Sequence, residues 1–169
     1  TYQKACEIIE QTGAELIHPF NDEDDMAGQG TIGLEILSDL PTVDMIFVPA
    51  GGGGLISGVA ACVKQINPRI QVIGVQAEGA SAIADSFHQD SIRPTATAHT
   101  SADGIAVKEP GDLTMQYINQ YVDQMVTVSD AEIASTILML LERTKQVVEP
   151  AGAASLAAVL GQKVDIKGK

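Results

Sequence analysis

The chain predicts an α/β fold with a doubly wound, mainly parallel sheet. Three observations carry this prediction. Residues 45–48 are a short, continuously apolar segment, 72–75 reads as a second buried strand, and 125–128 (Met-Val-Thr-Val) as a third; such runs have the character of strands in a parallel sheet. Between them run longer stretches with apolar residues at helical spacing, and that alternation builds parallel sheets through right-handed crossovers. Four consecutive glycines, Gly51, Gly52, Gly53 and Gly54, join the first apolar segment to a helical stretch that starts at Leu55.

Taken in order, Tyr2 to Thr12 is expected to be helical, with Ala5, Ile8 and Ile9 on one face and Gly13 past its end. Residues 15–18 predict a short strand ended by Pro19, and the acidic residues 21–25 predict a solvated surface loop. Gly28 and Gly30 flank Gln29, and a helix is expected from Thr31 to about Ser38. The strand at 45–48 leads through the glycines into a helix over 55–66, closed by Asn67-Pro68. The strand at 72–75 precedes a helix over 81–89. Pro94 and scattered threonines make 92–100 irregular. Residues 113–121 are expected to be helical, and the third strand is 125–128. Ser129 followed by Glu132 is the pattern of a capping box, opening a helix that runs to about Thr144. Its apolar positions Ile133, Ile137, Leu140 and Leu141 recur at intervals of 3 and 4. A small-residue helix over 152–160 is the last.

Composition narrows the function. The 169 residues are 45% hydrophobic, enough for one domain with a sizeable core. A formal net charge of −12 argues against nucleic acid or an anionic membrane as partner. No Trp and few aromatics suit an Ala/Gly/Val-rich α/β core. Cys6 and Cys62 fall in helical patterns and are expected to be buried free thiols, which favours a cytoplasmic location. No signal-peptide pattern and no apolar run of about 18 residues is present. The chain opens at Thr1 directly into a helical pattern, and we expect a piece of a longer protein.

A strand, a glycine loop and a helix in succession form a place to hold a phosphate. The amides of the first helical turn lack partners, the helix dipole adds positive charge, and glycine admits the ligand to the backbone. The loop lacks the GK[ST] ending of a Walker loop, and the G-x-G-x-x-G spacing is not met.

Four segments are too particular to be plain scaffold. They are His18-Pro19-Phe20-Asn21-Asp22 with Ala27-Gly28-Gln29-Gly30-Thr31; Pro49-Ala50-Gly51-Gly52-Gly53-Gly54-Leu55; Ser101-Ala102-Asp103-Gly104-Ile105-Ala106-Val107; and Val148-Glu149-Pro150-Ala151-Gly152-Ala153-Ala154. Together, and over the whole chain, they resemble the fold-type-II pyridoxal-phosphate enzymes, most closely the threonine dehydratases. The resemblance implies a partial tryptophan-synthase-β-like fold and pyridoxal 5'-phosphate as cofactor. It implies an amino-acid substrate and a homo-oligomer. It assigns cofactor binding to Gly51, Gly52, Gly53, Gly54, the Leu55 amide, Gly104 (with its neighbour Asp103) and Glu149. The Gly-Gln-Gly-Thr segment is implied to be structural. Residues 1–13 resemble the last helix of the smaller domain, and 14–169 resemble part of the larger, cofactor-binding domain.

The family's Schiff-base lysine stands in a Ser-Phe-Lys-x-Arg-Gly setting. Lys4, Lys64, Lys108, Lys145, Lys163, Lys167 and Lys169 all lack it, so no catalytic residue is assigned here. A Ser-Gly-Gly-Asn segment is expected beyond Lys169. The implied reaction is β-elimination of threonine to 2-oxobutanoate and ammonia. Serine dehydratase, serine racemase and a non-catalytic phosphate-binding module stay open. Ala50 and Ala84 tilt toward dehydratase. Glu78 matches a family cation-site glutamate, but Ala84 replaces the second acid, and no metal is assigned. His18 is expected to be structural, and His88 and His99 surface residues.

Overall fold

The computed structural model describes residues 2–89 and 91–166; Thr1, Lys167 and Lys169 lie outside them. Three strands, β1 (Met45–Pro49), β2 (Gln71–Ala77) and β3 (Gln124–Val128), form a parallel sheet in the order β1-β2-β3. Ile46 lies opposite Val72, and Val75 opposite Val126. Seven α-helices accompany them among the described residues: α1 (Tyr2–Thr12), α2 (Glu23–Asp39), α3 (Gly54–Ile66), α4 (Ala82–Ser86), α5 (Asp112–Tyr121), α6 (Asp130–Thr144) and α7 (Pro150–Leu160). Short 3-10 turns occupy Glu78–Ala80 and Asp103–Ile105.

Side-chain alternation along the strands sends residues to two cores. On one face Ile46, Val48 and Val72 pack with Ile56, Val59 and Val63 of α3 and Met115 and Ile118 of α5. On the other, Val75, Ala77 and Val128 pack with Ile133 of α6 and the alanines of α7. Both faces are therefore covered, as expected for a parallel sheet.

The structure corrects several expectations. Residues 15–18 are not a strand; Ile17 is 79% exposed, and no described strand pairs with them. The acidic residues are not a loop but the start of α2, eight positions before Thr31. The Asp22 carboxylate accepts from the Asp24 and Asp25 N–H groups at 3.0 and 3.1 Å, and the acids of the first turn suit the positive end of the helix dipole. The glycines of this helix let two helices meet. A Cβ on Gly58 of α3 would lie 2.0 Å from the Met26 carbonyl of α2, and one on Gly30 would lie 3.2 Å from the Gly58 carbonyl. The helix expected over 81–89 is confined to α4, ending before His88 in the left-handed region. The last helix begins at Pro150, whose missing N–H costs nothing at the first helical position.

The capping box of α6 forms as expected. The Ser129 N–H donates to Glu132 Oε2 at 2.7 Å, and Ser129 Oγ accepts from the Glu132 N–H at 3.3 Å. Cys6 and Cys62 are free but half-buried rather than buried, and burial pushes the Cys62 thiol up from its ordinary value. Among the described residues no helix is long and apolar enough to cross a membrane.

Candidate functional site

β1 delivers the chain to the glycine loop. The Ala50 N–H donates to the Val75 carbonyl at 2.9 Å, so the loop leaves the sheet from a fixed point beside β2. At Gly53 the backbone takes φ of +102°, a conformation that disfavours any side chain, and α3 starts at the next residue. No side chain caps α3, and among the described residues nothing accepts from the Gly53, Gly54 or Leu55 N–H groups. These donors sit beyond the carboxyl end of a strand, where ligands of open α/β sheets bind.

Three other segments close around the loop. Phe20 lies across it, so that a Cβ on Gly52 would stand 2.4 Å from the phenyl ring. His18 Nδ1 holds this turn by accepting from the Asn21 N–H at 2.9 Å. The Asp103–Ile105 turn approaches from the other side, placing the Ile105 Cα 3.0 Å from where a Gly51 Cβ would be. That turn is tied to α6: Asp130 accepts from the Thr100 hydroxyl and from the Ser101 N–H, the latter at 2.9 Å. The same two bonds hold the Asp130 carboxyl below its ordinary value, the Thr100 hydroxyl having the larger effect. Glu149 ends the coil before α7, its Oε1 3.6 Å from the position of a Gly104 Cβ.

The result is a cavity of about 420 Å³, within the ~300–1,000 Å³ usual for small-molecule sites. Gly51, Gly52, Gly53, Gly54, Leu55, Gly104 and Glu149 all line it, so the residues assigned from sequence meet in one place. Asp103 does not line it and is exposed at the start of its turn. Pro19, Phe20, Ile105 and Val107 are wall residues that were not assigned a role. Phe20 is one of three phenylalanines in the chain, and its place between Pro19 and Asn21 was the available signal. Among the described residues no Lys, Arg or His lines the cavity, so an anion at the loop would be met by backbone amides and the helix dipole.

The other candidates lie elsewhere. Glu78 opens its 3-10 turn, and Asp85 accepts from the Ser81 hydroxyl at 2.9 Å. Among the described residues no group of three or more His, Cys, Asp or Glu could hold a metal ion. His88 and His99 are exposed.

The sequence profile of the family described as pyridoxal-phosphate dependent enzyme matches residues 1–169. The chain belongs to this family. The family is named for its dependence on pyridoxal phosphate. It is 53% identical over 168 residues to an L-threonine ammonia-lyase of Thermotoga maritima, covering 99% of this chain and 42% of that protein. Among solved structures it is similar to a threonine deaminase from T.th. (39% identity, TM-score 0.89, covering 93% of this chain and 59% of that one). It is also similar to maize serine racemase (40% identity, TM-score 0.92, covering 96% of this chain and 49% of that one). These likenesses show the partial fold-type-II architecture that the segments implied. The chain spans about half the length of the curated relatives it matches.

The cavity fits the phosphate end of the family's cofactor. Its floor is an uncapped helix start with three N–H donors that have no acceptor among the described residues, and glycines leave the backbone open to approach.

Proposed function

We propose that the protein carrying this chain is an L-threonine ammonia-lyase that eliminates water from threonine and releases 2-oxobutanoate and ammonia. The observation that carries this reading is the convergence of Pro19-Phe20, the glycine loop, the Gly104 turn and Glu149 on one cavity at the uncapped start of α3, in a chain 53% identical to an L-threonine ammonia-lyase. The Gly53, Gly54 and Leu55 N–H groups hold the cofactor phosphate. Gly104 lets the backbone of its turn lie close to the ring, and Glu149 faces the same space. Phe20 and Val107 exclude water from the phosphate. Bound there, the cofactor supplies an electron-accepting ring that stabilises negative charge on the substrate Cα.

Among the described residues no lysine lines the cavity. In this reading the amine that bears the cofactor comes from another segment of the whole protein. Residues 1–13 are then the last helix of a smaller domain, and 14–169 belong to the larger one. The exposure of Ile8 on α1, at 45%, supports the division, since that face is left for another unit. The protein works as a cytoplasmic homo-oligomer, and its two free thiols favour that compartment.

A second reading is serine racemase, favoured by the TM-score of 0.92 to the maize enzyme. The deciding experiment incubates the full-length protein with L-threonine and with L-serine, and follows 2-oxo-acid formation and D-serine. Rapid 2-oxobutanoate formation from threonine supports the lyase. D-serine formation with negligible threonine turnover overturns it.

A further inference from the structure

The glycine loop is held from behind by a polar network in the first core. Thr114, in the first turn of α5, is fully buried. Its hydroxyl donates to the Gly52 carbonyl at 2.8 Å and lies 3.0 Å from the Gly111 carbonyl. The Gly111 N–H reaches the same Gly52 oxygen at 3.4 Å. A buried hydroxyl whose single proton goes to the Gly52 carbonyl is a fixed point, because leaving it unpaired is costly.

The Gly52–Gly53 peptide is trans, so its carbonyl and N–H point in opposite directions. Fixing the Gly52 oxygen against Thr114 therefore turns the Gly53 N–H away from the core. Gly53 also lies against Thr114: a Cβ there would lie 2.9 Å from the threonine Cβ and Oγ1.

Thr114 is itself held from a distance in sequence. α5 has Gly111 at its N-cap and no side-chain cap of its own. Asn21 fills that role: its Oδ1 accepts from the Leu113 and Thr114 N–H groups at 3.0 and 3.3 Å, and its Nδ2 donates to Asp112 Oδ1 at 2.7 Å. The arrangement needs glycine at 111, where a Cβ would lie 2.1 Å from the Asn21 oxygen.

We propose that Thr114 is a positioning residue for the phosphate cradle: its hydroxyl sets the plane of the Gly52–Gly53 peptide so that the Gly53 N–H is presented to the cofactor phosphate, and Asn21 holds Thr114 in register. This rests on the cofactor site proposed above. Thr114 touches no ligand, and its effect is on the phosphate grip alone.

The test uses the full-length protein and compares two probes, pyridoxal 5'-phosphate and pyridoxal, which differ only in the phosphate. Dissociation constants are measured by fluorescence titration, with circular dichroism checking the fold. Thr114→Val should weaken pyridoxal-phosphate binding about tenfold or more, leave pyridoxal within about twofold, and Thr114→Ser should restore the phosphate-dependent part. Asn21→Ala should show the same selectivity with a smaller loss, and carries the test if Thr114→Val does not fold. Unchanged affinity for pyridoxal phosphate, or equal losses for both probes in a folded variant, would overturn the role of Thr114. A wild-type protein that binds both probes equally would instead overturn the cofactor site beneath it.

Discussion

Single residues set this cavity through what they lack. Gly52 is the clearest case: the Phe20 ring occupies the space that any side chain would need. Gly52→Val must either displace Phe20 or push the loop into the cavity. We expect the full-length variant to bind pyridoxal phosphate about tenfold or more weakly, about 1.4 kcal/mol, measured by equilibrium titration. Unchanged affinity would remove the loop from the cofactor site. Much of this was legible in the chain, because four glycines after an apolar strand signal close backbone approach. Phe20 is only hinted at by its place beside Pro19, and Thr114 not at all. Their roles depend on neighbours 32 and 62 positions away along the chain, and local pattern does not encode such contacts.

At the scale of elements, ends proved harder to read than middles. The expected bounds of all three strands lie within two residues of the observed ones at each end, because short runs of apolar and β-branched residues mark them even where, as in β3, the strand is only partly buried. The start of α2 lies earlier than the pattern predicts, because a run of acids resembles a solvated loop. In the structure the acids serve the helix dipole and the glycines serve helix packing. Asp22→Ala should accordingly cost about 1 kcal/mol in chemical denaturation, the usual effect of losing a cap. A change indistinguishable from zero would mean that the cap adds nothing. The capping box of α6 makes a prediction in pH. Hydrogen bonds from the Ser129 N–H, then the Lys163 ammonium at 2.9 Å, hold the Glu132 carboxyl below its ordinary value. A carboxylate lowered by folding contributes its full stability above the unfolded-state value, and loses it as pH falls through the folded-state value. The melting temperature of the wild type should therefore exceed that of Glu132→Gln at neutral pH. The gap should close as pH falls below about 4.5. A gap that stays constant into acid would show that the charge of Glu132 is not what stabilises the helix start.

Over the whole molecule, apolar surface is left open where the two cores end. Val147 is 91% exposed, Ile17 79%, Ile66 56% and Leu138 55%. Expressed alone, the 169-residue chain should self-associate, giving a light-scattering mass above its own 17.7 kDa that rises with concentration. A monomer mass at every concentration would show that these faces are tolerated in water. The cavity stands at the opposite extreme, as a seam. α3 belongs to the layer on one face of the sheet, and α7 with the Asp103–Ile105 turn to the layer on the other. A molecule gripped by the start of α3 and flanked by Gly104 and Glu149 would rivet the two layers together across the strand ends. Occupancy then becomes a mechanical property of the fold. The emptied protein should fray first at this edge, where amide exchange would register the missing clasp, while the far ends of the strands keep their protection.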